Sequence, residues 1–106
     1  MIAIRTIKQA VADYYGFGER DLEGPWQSAR LLHARQIAIY LAREITMQSL
    51  PQIARAFGNR DHSTVMRGIA RIEAALSEDE GLRVDLALLR ERLAEDEAED
   101  EDHDND

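Results

Sequence analysis

The side chains best suited to chemistry in this 106-residue chain crowd into one string, Arg60-Asp61-His62-Ser63-Thr64, directly behind Gly58-Asn59. A carboxylate, an imidazole and two hydroxyls in succession invite two readings. The first is catalysis by a Ser-His-Asp relay. Consecutive helical residues point about 100° apart, so His62 cannot bridge Asp61 and Ser63, and the relay fails on geometry. The second is the reading of base edges in duplex DNA. A carboxylate accepts from cytosine N4, small hydroxyls serve base edges or phosphates, and a helix N-terminus favours a phosphate oxygen. Each of these residues taken singly is an ordinary helix cap or surface group. Their concentration in one turn behind a glycine elbow favours base reading.

Such a cluster needs two helices to present it. Ser49-Leu50-Pro51-Gln52 reads as a helix start. Ser49 caps a backbone N–H, Gln52 reaches back in a capping box, and Pro51 occupies the first turn, where its missing N–H costs nothing. Ile53, Ala56 and Phe57 continue as an apolar stripe until Gly58-Asn59 ends the helix in left-handed backbone. Asp61 is then the natural N-cap of a second helix, with Val65, Ile69, Ile72 and Leu76 inward and His62, Ser63, Met66, Arg67 and Arg71 outward. A short helix, a tight turn and a second helix with a polar first turn form a helix-turn-helix, whose second helix enters the major groove.

The remaining periodicity is also helical. Ile4, Ile7, Val11 and Tyr14 mark a first helix, closed by Gly16 and Gly18. Ser28 to Ile45 forms a long helix with Leu32, Ile37, Ala38, Leu41 and Ile45 inward and Arg35, Gln36 and Arg43 polar. Leu82, Leu86, Leu89 and Leu93 mark a last helix, with Ser77 and Glu80 as its capping box. No useful strand alternation exists. The expected fold is all-α, a bundle of about six helices built from residues 1–94 around the helix-turn-helix.

Charge at first opposes a nucleic-acid partner, because the chain is net −8 and duplex DNA is densely anionic. The distribution reverses this. Residues 95–106 hold nine of the 21 acidic groups, and all 13 basic groups lie in residues 1–94. Between Ser28 and Ile72, seven arginines face only Glu44 and Asp61. The acidic run is expected to be a disordered tail, since it cannot bury enough apolar surface to order itself. Its open roles are a solubilising appendage, a DNA mimic that competes for the basic face, and a contact for a protein.

Other classes find no support in the sequence. Cysteine is absent, and His33, His62 and His103 show no metal spacing, so neither metal nor cofactor is expected. No G-x-x-x-x-G-K-[ST] string occurs and Lys8 is the only lysine, so nucleotide binding and motor activity are not expected. The longest apolar stretches fall short of a membrane span, and Met1 is not followed by a basic-then-apolar leader. The expectation is a cytoplasmic, nucleoid-associated protein without enzyme activity. Met1 and the terminal acidic run read as its natural ends.

Arg60-Asp61-His62-Ser63-Thr64-Val65, preceded by Ala56-Phe57-Gly58 and Ser49-Leu50-Pro51-Gln52-Ile53, resembles the signature of the C-terminal DNA-binding domain of DnaA, the bacterial replication initiator. The likeness extends without gaps over roughly residues 2 to 93. Ile7 to Tyr15 resembles that domain's first helix, and Ala34 to Thr46 its long central one. The resemblance implies a Trp-repressor-like helical fold that binds a nine-base-pair box. It implies base contacts by Asp61, His62, Ser63 and Pro51, the proline ring lying on a thymine methyl. Arg35, Gln36, Arg43 and Thr64 resemble positions at the DNA backbone, and Arg60 and Arg67 join them by charge.

One departure stands upstream. Where the family carries an arginine-rich loop that inserts into the minor groove, this chain has Glu23-Gly24-Pro25-Trp26-Gln27-Ser28-Ala29-Arg30. Gln27 falls at the inserting arginine's position, and Arg30, three residues on, is the other minor-groove candidate. Trp26 reads as a half-buried plug rather than a stacking reader. The expected function is sequence-specific binding of double-stranded DNA in regulation of replication initiation or transcription. The alternative is a protein-interaction module, derived from such a domain, that contacts a replication or transcription protein.

Overall fold

The structure, a computed structural model, describes residues 1–25 and 28–104, with side chains through residue 98. Trp26 and Gln27, and with them the proposed plug and one minor-groove candidate, lie outside the described residues. The described chain contains α1 (Ile4–Tyr15), a 3-10 turn (Glu19–Leu22), α2 (Ala29–Thr46), α3 (Leu50–Ala56), α4 (His62–Leu76) and α5 (Glu80–Asp104). The all-α expectation therefore holds, with five α-helices and one short turn where about six helices were expected.

Helix α2 is the axis of the bundle. It packs against α1 on one side and α4 on another, so Leu31, Ala34, Ile37, Ala38, Ile39, Leu41 and Ala42 are all buried. That is more than one helical face, which explains why a single amphipathic stripe describes α2 poorly. Helix α1 contributes Ile4, Ile7 and Val11 as expected, whereas Tyr14 sits at the rim and donates its hydroxyl to Asp85 on α5 at 2.6 Å. Helix α5 lays Leu82, Leu86, Leu89 and Leu93 on the core. Arg90 on α5 grips Glu44 through two hydrogen bonds of 2.8 Å, and Arg92 meets Asp13 at 2.6 Å.

Local start and stop signals mostly act where the sequence puts them. Ser49 Oγ accepts from the Gln52 N–H at 3.2 Å while Gln52 Oε1 accepts from the Ser49 N–H at 2.8 Å, closing the capping box of α3. Ser28 caps α2 through the Leu31 N–H. Helix α1 ends one residue before Gly16, at φ 80°, whereas Gly18 belongs to the next turn and not to that stop.

One expectation is corrected. Ser77 and Glu80 do not form a capping box. The Glu78 and Asp79 N–H groups bond the Ala75 carbonyl, Ser77 Oγ donates to the Ala74 carbonyl, and α5 is capped instead by Asp79 Oδ1, which accepts from the Leu82 N–H at 3.0 Å. The S-x-x-E spacing was present, but the tightened end of α4 consumed it. Helix α5 continues to Asp104, into the acidic run. Between Leu93 and Asp104 there is no glycine or proline to stop a helix already anchored by four leucines. The change in composition at residue 94/95 falls within α5.

Candidate nucleic-acid interface

The turn between α3 and α4 is built from two left-handed residues, Gly58 at φ 85° and Asn59 at φ 57°. The Arg60 N–H returns to the Ala54 carbonyl at 2.9 Å, which redirects the chain and delivers Asp61 to the N-cap of α4. Phe57 is fully buried beneath this turn and Val65 beneath the first turn of α4, so the elbow rests on the core. Asp61, His62, Ser63 and Thr64 are left exposed together on one helix start. The structure thus brings together the residues that the sequence singled out.

Asp61 does not cap as expected. Its carboxylate makes no capping bond to the helix backbone; it accepts instead from the Ser63 hydroxyl, two residues on. That hydroxyl, chiefly, holds the Asp61 carboxyl below the usual carboxylate range, with weaker support from nearby backbone N–H groups and the Arg67 charge. Because its pKa is depressed in the fold, the pairing is present above the ordinary aspartate value and lost as pH falls through the depressed one. Ser63→Ala should therefore raise the Asp61 pKa toward the ordinary value, measured by an NMR titration of its carboxyl carbon. An unchanged midpoint would contradict the pairing.

Along this helix, among the described residues, lie two depressions. A cleft of about 180 Å³ is lined by Leu32, Arg35, Gln36, Ile39, Arg60 and Thr64. A groove of about 250 Å³ runs between Arg43, Leu50, Met66, Ile69, Ala70 and Glu73. The groove brings Leu50, at the start of α3, beside Met66, Ile69, Ala70 and Glu73 of α4, and Pro51, the next residue, is exposed. Gln36 is held in place by Arg71, which donates to its Oε1 at 2.7 Å. Arg43 is exposed, reaching the Gln48 carbonyl at 2.9 Å, and Arg67 projects one turn after Ser63.

Three cations turn to backbone carbonyls. Arg35 is 3% exposed. Its guanidinium turns inward to the carbonyls of Leu22 (2.9 Å), Asp21 (3.3 Å) and Gly24 (3.1 Å). Arg60 is half-buried and donates to the Gly24 carbonyl as well. Arg30 caps the end of α1 through the Tyr15 carbonyl at 2.9 Å, with its guanidinium 5.3 Å from the Phe17 ring centre. Arg30 and Arg35 belong to α2 and Arg60 to the elbow, yet carbonyls far along the chain claim all three. Lys8 was missed altogether: a lysine in the buried stripe of α1 is 6% exposed and joins Glu23 at 2.5 Å to the Ala56 carbonyl at 2.6 Å. Its position at i+4 from Ile4 was the available signal.

An all-helical domain with an exposed polar helix start behind a tight elbow is a helix-turn-helix domain of the DNA-binding class. The chain belongs to the bacterial dnaA protein helix-turn-helix family, whose model matches residues 4–72. It is 41% identical over 92 residues to the chromosomal replication initiator protein DnaA of Cereibacter sphaeroides, covering 87% of this chain and 20% of that protein. It is 42% identical over 94 residues to DnaA of Roseobacter denitrificans, covering 89% and 21%. DnaA of Limosilactobacillus reuteri is 41% identical over 92 residues, covering 87% and 21%. A crystal structure of a DNA replication initiation factor superposes with a TM-score of 0.76 at 31% identity, covering 85% of this chain and 27% of that one. The chain spans about a fifth of the length of these curated relatives.

Proposed function

We propose that this chain binds double-stranded DNA at DnaA-box-like sites and regulates replication initiation or transcription there, without ATPase or other catalytic activity of its own. The observation that carries this reading is the exposed cluster Asp61, His62 and Ser63 on the first turn of α4, seated on Phe57 and Val65. In this reading those three residues and Pro51 meet base edges in the major groove, while Gln36, Arg43, Thr64 and Arg67 meet the sugar-phosphate backbone. Phosphate contacts supply affinity and position, and base contacts supply discrimination. Among the described residues no helix is long and apolar enough to cross a membrane. A cytoplasmic site of action on the nucleoid is part of the proposal.

Arg30 engaged at α1 and a glutamine at position 27 leave the minor-groove grip weaker than an arginine-rich loop would provide. The expected result is a preference for a duplex carrying the nine-base-pair box over a scrambled duplex, measured by fluorescence anisotropy at near-physiological salt. Equal affinity for the two would sink the reading and favour the protein-interaction module.

A further inference from the structure

The inward cations converge on one place. Arg35, Arg60 and Lys8 come from α2, the elbow and α1, and all three grip the four residues Asp21–Gly24. Lys8 extends the grip to the Ala56 carbonyl at the end of α3. The elbow presses on the same segment. A Cβ on Gly58 would lie 2.0 Å from the Glu23 carbonyl oxygen, so backbone meets backbone there with no room for a side chain. Arg60 immediately precedes Asp61, the N-cap of α4. Whatever fixes Arg60 to Gly24 therefore fixes the first residue of the helix that carries His62 and Ser63.

Turning either guanidinium out to a phosphate would strip hydrogen bonds from the buried Leu22 carbonyl or from the part-buried carbonyls of Asp21 and Gly24. Arg35 would abandon three such acceptors. The Nε of Arg60 is itself buried without an acceptor, so that side chain lies with its base in the protein and not along the surface. Burial, followed by the Arg60 charge, lowers the Arg35 pKa, which places the two guanidiniums in one cluster.

The geometry points to Arg35 and Arg60 as positioning residues that lock Asp21–Gly24 onto the elbow and so set where the recognition helix begins, rather than as phosphate contacts. This rests on the reading that the chain binds duplex DNA. It makes a prediction that charge counting does not. Each phosphate contact steepens the dependence of log K on log salt by about 0.9, whereas a residue acting through backbone position leaves that slope alone.

The test compares the full chain with Arg60→Gln, Arg35→Gln and Arg67→Gln, using box and scrambled duplexes between about 50 and 200 mM salt. Circular dichroism confirms that each variant is folded. Arg67→Gln should flatten the slope by about 0.9. Arg60→Gln and Arg35→Gln should weaken box binding by about tenfold or more at unchanged slope, with Arg60→Lys recovering part of the loss because it still donates to Gly24. A slope flattened by about one contact in either variant overturns the inference. Amide chemical shifts without DNA give an independent reading, and Arg60→Lys supplies it where a glutamine variant does not fold. Changes at Gly24 that extend to Asp61–Thr64 support the lock; changes confined to the immediate neighbours of residue 60 overturn it. A wild-type chain with no preference for the box would contradict the proposed function, while the shifts would still judge the lock.

Discussion

His62→Ala should lower the preference for a box duplex over a scrambled one by roughly 1–3 kcal/mol, about five- to 150-fold, the amount typical of one good base contact. The fold should barely respond, because His62 is exposed and such substitutions usually stay within about 0.5 kcal/mol. The salt slope should also be unchanged, since a base-edge contact releases no phosphate counterion. Arg67→Ala gives the opposite signature, with both duplexes weakened alike. The contrast separates reading from gripping in a single anisotropy series. A His62→Ala protein that keeps its full preference would remove His62 from the reading set. Under the proposed function the effect should be large in this chain, because the resemblance puts Gln27 where a minor-groove arginine would stand and leaves more of the discrimination to one turn of α4.

Gly58→Ala should cost far more stability than Gly16→Ala, although the two glycines share nearly the same backbone conformation, φ 85° and 80°. At Gly16 nothing lies within 4 Å of an added Cβ, so only the left-handed conformation is penalised, about 1–2 kcal/mol. At Gly58 the same penalty is joined by a collision with the Glu23 carbonyl at 2.0 Å. Overpacking of this kind costs about 1–3 kcal/mol more, for a total of about 2–5 kcal/mol. Urea unfolding followed by helical circular dichroism measures both. Equal losses would mean that Glu23 and the elbow are not in contact. Because this contact also seats the start of α4, Gly58→Ala should bind the box duplex more weakly at any salt concentration where it remains folded.

The two glycines show how a residue type can be read correctly for an incomplete reason. Gly58-Asn59 announces a turn from the sequence, and the turn is there. That the glycine also admits a carbonyl from 35 positions earlier in the chain has no local signature, and the same pattern holds across the molecule. Ser49, Gln52 and Pro51 act within one another's hydrogen-bond reach, so their capping box was legible. Ser77 and Glu80 had the same spacing, but the end of α4 competed for the same residues and won. Asp61 was legible as an N-cap position, whereas the choice of the Ser63 hydroxyl as its partner was made by side-chain geometry.

By itself the sequence determined the helices, the elbow and the exposed turn that carries Asp61, His62 and Ser63. These depend on periodicity, capping and glycine conformation, all of which operate within a few residues. Tertiary structure alone decided which arginines are available at the surface. Arg35 meets partners 11 to 14 residues away and Arg60 one 36 away, so no local pattern distinguishes them from Arg43 or Arg67. Packing of α1, α2 and the elbow around Asp21–Gly24 brings its carbonyls within reach of these side chains, and a buried or part-buried acceptor draws in whichever long cation can reach it.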